Sequence, residues 1–425
     1  MFREIEQCRG CQSKDLRSAL DLGQQYIVNF VDDPKTPADK SPIHLVYCNN
    51  CRLVQLKHSV DPERLFRKFW YYSSVNTTMK KHLYDLTVQT REIERVNAGD
   101  WVIDIGANDG ELLGNYPRNI NTLGIEPARN VIPLLKKNCS FTLNDFFGEN
   151  IRLWCKERAV KAKHIYAIAM FYDIEDPLTF CENVKEILAD TGIFVIQMNY
   201  LKSMLQNVAV DNILHEHLCY YSIQTLEPIL EKAGLKIFHV SENDLNGGSI
   251  RLYICHDEDD KRITYFNYAQ AVADEQKYFG PAYASKLKKR LDDFAERVTH
   301  AKKVLSEFVH QEHDKHKTIY AYGASTRGSA LLQTMGLKYP QVTLAVERNQ
   351  IKFDKWMSGL GIRIISEDEM REMPPDFLLI LPYFFFEEFK DRESTFLANG
   401  GKFIIPTPSG PFVYAYDGNE KVTTL

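Results

Sequence analysis

The sequence predicts an α/β protein of several domains, in which a cysteine-clipped module precedes two Rossmann-like units. The first sign is a pair of short motifs near the N-terminus, CRGC and CNNC. The second is a pattern of strand, glycine turn and helix that occurs twice, as DWVIDIGANDGELL and as TIYAYGASTRGSALL. A chain of 425 residues, 44% hydrophobic and 26% charged, is too long for one ordinary core and too apolar for disorder, so two or three domains follow. A net charge of -5 gives no electrostatic footprint for nucleic acid. No leader pattern precedes the first motif and no apolar run approaches the roughly 20 residues that cross a bilayer, so the expectation is a cytoplasmic protein without membrane contact.

Cys8 with Cys11 and Cys48 with Cys51 form two Cys-x-x-Cys knuckles joined by a proline-containing loop. Two such knuckles close a tetrahedral shell of four thiolates around Zn2+ with no position left for substrate, which predicts a structural ion remote from any chemistry. Of nine cysteines the other five are dispersed and read as small buried side chains. Then FRKFWYYSSVNTTMKKHLYDL places aromatic and hydroxyl groups before a helical pattern; Tyr71, Tyr72 and Ser73 read as packing or as a lid that reaches a polar ligand.

In the first glycine turn WVIDIG reads as a strand, and a helix is expected to start at Gly110 or Glu111. Phosphate binding would favour G-x-G-x-x-G; here Asp104 stands at the strand end, followed by Gly106 and Gly110, and its carboxylate would repel an anion. A ligand carrying positive charge fits better. The next strand, NTLGIEP, ends in Glu126, where a carboxylate can accept both hydrogens of a ribose diol. A third strand in FTLNDFF puts Asp145 and Phe146 where an adenine amino group and face would lie. This ordered series resembles the S-adenosylmethionine site of class I methyltransferases.

AIAMFYDIEDP and TGIFVIQMNY read as the following strands with their loops, and NILHEHLCYYS lies beyond them on the same rim of the sheet. His215, Glu216 and His217 could hold a metal, satisfy each other in a core, or move a proton. The spacing lacks the third ligand that a catalytic metal needs. Transfer of a methyl group to carbon requires a base, and a neutral imidazole suits that task. Tyr220, Tyr221 and Ser222 stand just behind.

Farther on, apolar residues from Leu287 to Phe308 recur at helical spacing and predict a long connecting helix. In the second turn Ser325, Thr326 and Arg327 lie between Gly323 and Gly328 without an acid, which suits a diphosphate at a helix start. Glu347 and Arg348 end the next strand, where a nucleoside could be read, and the aromatic run Phe384 to Phe386 reads as packing.

The order of the cysteine clip, DIGANDG, MFYDIEDP, HEHLCYYS, NDLNGGSIRLY, AYGASTRGSALLQ and AVERNQIKF resembles the nucleotide-sugar C-methyltransferases, typified by the deoxysugar 3-C-methyltransferases, over essentially the whole chain. The resemblance implies a zinc-binding module over 1–70, a class I methyltransferase Rossmann-like domain over 71–260, a helical connector over 261–315 and a smaller nucleotide-sugar-binding α/β domain over 316–425. It implies S-adenosylmethionine as methyl donor and a TDP-, GDP- or CDP-linked 4-keto-6-deoxyhexose as substrate, methylated at carbon 3 through an enolate. Carried over residue by residue, it makes His217 the base and Glu216 the residue that holds the sugar or orients the base. Asp173 and Asn199 are then candidates for touching the sugar, and Tyr71, Tyr72, Tyr220 and Tyr221 for touching it or its enolate. Leu214, Ala169 and Asp173 depart from the family pattern of Tyr, Asn and His at those places. An NAD-dependent epimerase or dehydrogenase, and an idle nucleotide-sugar-binding subunit, are the alternatives, and the chain is expected to be a monomer or dimer.

Overall fold

A computed structural model describes residues 2–260, 262–280 and 284–425. The N-terminal part is built from short antiparallel strands: β1 (Phe2–Glu4), β2 (Leu16–Tyr26), β3 (Phe30–Val31), β4 (Lys40–Cys48), β5 (Val54–Leu56) and β6 (His58–Val60). β1 pairs with β6, while β2, β4 and β5 form a sheet. After α1 (Pro62–Phe66), a strap over residues 67–76 leads into α2 (Thr77–Ile93), which Asn76 caps with its side-chain oxygen.

The central sheet alternates strands and helices: β7 (Trp101–Ile105), β8 (Asn121–Ile125), α3 (Ile132–Asn138), β9 (Phe141–Leu143), α4 (Glu149–Glu157), β10 (Ala162–Ile168), α5 (Pro177–Ile187), β11 (Leu188–Asn199). It continues with α6 (Leu201–Asn207), β12 (Cys219–Tyr220), α7 (Ile223–Lys232), β13 (Leu235–Asn243) and β14 (Ser249–His256). The order is β13-β14-β11-β10-β7-β8-β9, with an antiparallel hairpin at one edge of an otherwise parallel sheet. The crevice at the carboxyl ends of β7 and β10 is the topological switch point where ligands bind.

One expectation fails here. No α-helix follows Gly110; the chain makes a single 3-10 turn at Leu113–Asn115 that buries Leu112, Leu113 and Tyr116. Gly114 lowers helix propensity and Pro117 cannot continue the turn, so a helix has no room to propagate.

The expected connector is two helices, α8 (Phe266–Phe279) and α9 (Ala284–Asp314): α8 bridges two cores, Ala271 joining the central one and Phe279 the C-terminal one, and Leu287, Leu291, Phe294 and Leu305 of α9 join the C-terminal one. The C-terminal unit holds β15 (Ile319–Tyr322), α10 (Thr326–Met335), β16 (Leu344–Glu347), β17 (Trp356–Met357), β18 (Ile362–Ser366), α11 (Glu367–Glu372), β19 (Phe377–Ile380), α12 (Phe386–Arg392), α13 (Ser394–Ala398), β20 (Lys402–Ile405), β21 (Phe412–Tyr416) and β22 (Glu420–Thr424). Its order is β22-β21-β20-β19-β15-β16-β18-β17-β3.

The three units are interleaved. β3, from the cysteine module, forms the edge of the C-terminal sheet, and β12, from the central unit, forms the edge of the cysteine module's sheet. Among the described residues no helix is long and apolar enough to cross a membrane.

Candidate functional site

The first glycine turn is shaped by backbone that only small or specialised residues adopt. Gly106 and Gly110 have φ of 74° and 83°, and Asn108 stands at 51°. A Cβ at Gly110 would lie 2.8 Å from Cβ of Asn138, so this glycine lets the turn approach α3. Gly110 therefore packs beneath the turn rather than lining the cavity above it. Glu126 braces the turn from β8, its two oxygens accepting backbone N–H groups of Asn108 and Ala128, each at 2.7 Å. Burial, with the nearby Glu126 charge, holds the Asp104 carboxyl well above the usual carboxylate range. Beyond β9, Asp145 accepts the Phe146 N–H at 2.9 Å, and the Arg67 guanidinium lies 4.7 Å over the Phe146 ring.

The strap closes over this turn. Ser73 N–H donates to Asn108 Oδ1 at 3.1 Å, Ser74 N–H to Asp109 Oδ2 at 2.9 Å, and Asn108 Nδ2 to the Tyr71 carbonyl at 2.9 Å. Asn130 Nδ2 donates to the Tyr72 hydroxyl at 2.9 Å. Tyr71, Tyr72, Asp104, Gly106, Glu126, Asp145 and Phe146 all line one cavity of about 1170 Å³.

That cavity continues past the histidine segment. His217 Nδ1 donates to the Asn212 carbonyl at 2.8 Å, which fixes the tautomer and leaves Nε2 as the lone-pair nitrogen. Its ring packs 4.1 Å from that of Tyr172. Burial, helped by the Arg327 charge, pushes the imidazole down to about 3, and burial pushes Glu216 up to about 7. Asp173 faces the same space: burial first, then the Glu216 charge, raises its carboxyl well above the usual range, and its buried Oδ1 has no hydrogen-bond partner among the described residues. Glu216, His217, Asp173 and Asn199 line the cavity; His215 and Tyr221 do not. His215 Nε2 donates instead to the Ser41 carbonyl at 3.0 Å. Tyr221 is wholly buried, 5.4 Å from the Phe171 ring, so its place in the core removes it from the set of groups that can reach a ligand in the cavity.

The far end of the cavity is the second turn. Gly323 has φ of 94°, and a Cβ there would strike Pro382 at 2.7 Å. Ser325 caps α10, its hydroxyl accepting the Gly328 N–H at 2.9 Å. Ser325, Thr326, Arg327, Glu347 and Arg348 all line the cavity. Arg327 forms an ion pair with buried Asp211, which also accepts from the Tyr383 hydroxyl at 2.9 Å. Glu347 accepts from the N–H groups of Arg348 and Asn349 at 2.8 and 3.1 Å and from Lys352 at 2.9 Å. Phe384 and Phe385 turn out to line the cavity, whereas Phe386 packs on Phe403, Phe412 and Tyr414. Tyr172, Asp211 and Lys352 escape sequence reading: Tyr172 and Asp211 meet His217 and Arg327, which are distant in the chain, and Lys352, beside Glu347, is marked as a site residue only by the cavity it lines.

The four cysteines converge. Sγ atoms of Cys8 and Cys51 lie 3.5 Å apart, those of Cys11 and Cys48 3.6 Å, and all four within 4.8 Å of one another. Tetrahedral Zn–S bonds of about 2.3 Å require sulfurs roughly 3.8 Å apart, so the donor set fits Zn2+ and fills its coordination. Gln55 Nε2 donates to Cys8 Sγ at 3.1 Å and Asn50 N–H to Cys48 Sγ at 3.3 Å, as thiolates require.

Comparison with known proteins agrees with this layout. Residues 8–66 match the family model "putative zinc binding domain", 80–240 a methyltransferase domain, and 244–408 a C-methyltransferase C-terminal domain. C-methyltransferase NovU of Streptomyces niveus is 28% identical over 412 residues, covering 96% of this chain and 97% of its own. The chain carries the domains of an S-adenosylmethionine-dependent C-methyltransferase. Among solved structures, an S-adenosylmethionine-dependent methyltransferase from Clostridium acetobutylicum is 13% identical over 42% of this C-methyltransferase and 92% of its own chain, with a TM-score of 0.34. The mitomycin 7-O-methyltransferase MmcR is 12% identical over 43% of this C-methyltransferase and 55% of its own, again with a TM-score of 0.34. When bound, S-adenosylmethionine supplies the C-methyltransferase with an electrophilic methyl group on a sulfonium, and zinc supplies a cross-link.

Proposed function

We propose that this enzyme methylates carbon 3 of a nucleotide-linked 4-keto-6-deoxyhexose, with His217 as base. The observation that carries the reading is a single cavity that joins the acid-bearing first turn to the acid-free second turn and passes His217 Nε2 between them. In this reading two ligands occupy it, a sulfonium cofactor against the first turn and a sugar nucleotide whose diphosphate meets the second turn and whose sugar lies toward His217. In this assignment Asp104 and Gly106 meet the amino acid end of the cofactor, Glu126 its ribose, and Asp145 with Phe146 its adenine. Ser325 and Thr326 at the start of α10 receive the diphosphate, flanked by Arg327, while Glu347 and Arg348 face the nucleoside.

The ketone acidifies the adjacent C–H; that bond breaks, the proton moves to His217 Nε2, and the electron pair passes to the carbonyl oxygen as an enolate. Carbon 3 then has the electrons with which to take the methyl group. Enolate charge beside the imidazole favours its protonated form and opposes the low basicity that burial imposes. Tyr71, Tyr72, Asp173 and Asn199 lie where the sugar's oxygens would be. A second reading makes Glu216 the base, because a carboxyl pushed up to about 7 is matched to neutral pH.

The test is incubation with S-adenosylmethionine and a panel of TDP-, GDP- and CDP-linked 4-keto-6-deoxyhexoses in heavy water, with product mass and position of label read out. One added methylene at the carbon that exchanges deuterium is expected. Turnover by His217→Gln at the wild-type rate, with loss in Glu216→Gln, would transfer the base to Glu216; no product from any member of the panel would end the ketosugar reading.

A further inference from the structure

The four-cysteine site is linked by hydrogen bonds to segments that line the cavity. Between its first two ligands stands Arg9, whose side chain is only 2% exposed. A buried guanidinium needs acceptors in several directions, and Arg9 finds them on two separate segments that lead to the cavity. Its NH1 donates to the Leu56 carbonyl at 2.6 Å and to Gln55 Oε1 at 3.3 Å, and the Arg9 backbone N–H also reaches Gln55 Oε1, at 3.1 Å. The same Gln55 donates to Cys8 Sγ, so one side chain joins the thiolate cluster to the guanidinium.

From there one path runs along backbone. Leu56 N–H donates to the Leu218 carbonyl at 2.9 Å, and β5 pairs with β12 immediately beyond the histidine segment. Leu218 N–H in turn donates to the Tyr172 carbonyl at 2.9 Å, and Tyr172 carries the ring that packs on His217. A second path runs through charge. Arg9 NH2 donates to the Ser59 hydroxyl at 2.8 Å, Ser59 donates to Glu175 Oε2 at 2.7 Å, and Arg9 Nε lies 3.4 Å from Glu175 Oε1. Glu175 lines the cavity two residues beyond Asp173. Both segments that present acids and base to the cavity are therefore held from one buried group.

We propose that Arg9 is a positioning residue, which ties the cysteine cluster to the loop carrying Asp173 and to the segment carrying Glu216 and His217. This rests on His217 being the proton acceptor, as proposed above. A purely structural arginine would lower stability while leaving each folded molecule equally active. A positioning residue alters where His217 sits in molecules that remain folded and metal-loaded, and a misplacement of about 1 Å costs on the order of a hundredfold in rate.

The experiment uses the full-length, zinc-loaded enzyme carrying Arg9→Met or Arg9→Lys. Its readouts are zinc per chain, affinity for S-adenosylhomocysteine, the histidine ring NMR signal that disappears in His217→Gln, and kcat and KM for the ketosugar that wild type methylates. For Arg9→Met we expect zinc and S-adenosylhomocysteine binding to stay within about twofold, the His217 signal to shift, and kcat to fall about ten- to a hundredfold, with Arg9→Lys recovering part of it. An unmoved His217 signal with unchanged kcat in folded Arg9→Met would overturn the proposal. Should Arg9→Met not fold, Ser59→Ala with Glu175→Gln removes the second path while Arg9 stays in place. A shifted His217 signal in that variant supports the proposal and an unmoved one overturns it. The NMR signal needs no substrate, so if wild type methylates no ketosugar, the proposed substrate fails while the role of Arg9 is still decided.

Discussion

His217 acquires its chemistry from one hydrogen bond. Because the Asn212 carbonyl can only accept, Nδ1 must carry the proton and Nε2 must be the basic nitrogen. His217→Gln keeps most of the volume and removes the basic nitrogen; we expect methylation to fall at least a hundredfold, within the range for loss of a general base, with S-adenosylhomocysteine affinity unchanged by calorimetry. Burial, then the Glu216 charge, raises the Asp173 carboxyl well above the usual range, and its Oδ1 has no partner among the described residues. Asp173→Asn offers a neutral donor of the same shape, so kcat/KM should stay within about tenfold of wild type, whereas Asp173→Ala leaves the partner on the substrate unpaired and should lose more. A carboxylate that must be ionised would give the opposite order. His215, Glu216 and His217 were legible as candidates for a metal, a core pair or a proton acceptor; that His215 turns away to the Ser41 carbonyl was not, since the direction of consecutive side chains depends on the backbone path.

At the scale of elements, the glycine turn and the cysteine knuckles follow from local chemistry. Gly110 has a positive φ, and a Cβ there would crowd Asn138 and Leu135. Gly110→Ala should therefore destabilise by about 1–3 kcal/mol and weaken S-adenosylhomocysteine binding by displacing Asn108, measurable by denaturant melts and calorimetry. Unchanged stability and binding would mean that the turn tolerates the strain. Cys48→Ser removes a ligand from a closed four-thiolate site; elemental analysis should show loss of the ion, with lower stability. The absent helix after Gly110 has its explanation in Gly114 and Pro117, which a strand-turn-helix template overrides too readily. Its lesson is that a matched turn does not guarantee the element that usually follows.

For the whole molecule, interleaved strands and buried charge couple the units. Arg327 and Asp211 join the C-terminal turn to the segment that leads into His217. Asp211→Ala leaves the cation without its buried anion and should cost about 2–4 kcal/mol, below the full range for a buried pair because Arg327 is partly exposed and keeps other contacts. Acid should open the molecule for a different reason. His164 accepts from Tyr116 at 2.8 Å and donates to the Glu94 carbonyl at 2.9 Å, and burial pushes it down to about 4; His215 is likewise pushed down to about 4. A histidine depressed in the folded state contributes stability that is present above about 6.5 and lost as pH falls toward 4. Urea midpoints should drop between pH 7 and 4.5, by an amount on the order of a few kcal/mol in total, with His164→Gln less sensitive to acid than wild type.

The sequence by itself determined whatever depends on short spacing: two knuckles that fold on one ion, two glycine turns at strand ends, the acid that distinguishes them, and the periodicity that alternates strand and helix. These rest on interactions within a few residues, whose physics is the same in any context. Only the tertiary structure decided that Tyr221 and His215 are core groups, that Asp211 pairs with Arg327, that β3 and β12 cross between sheets, and that Arg9 is buried against Leu56 and Ser59, on segments that lead to the cavity. Each of those depends on partners 40 or more residues away in the chain, and burial and pairing at such separations are set by how the layers pack rather than by local pattern.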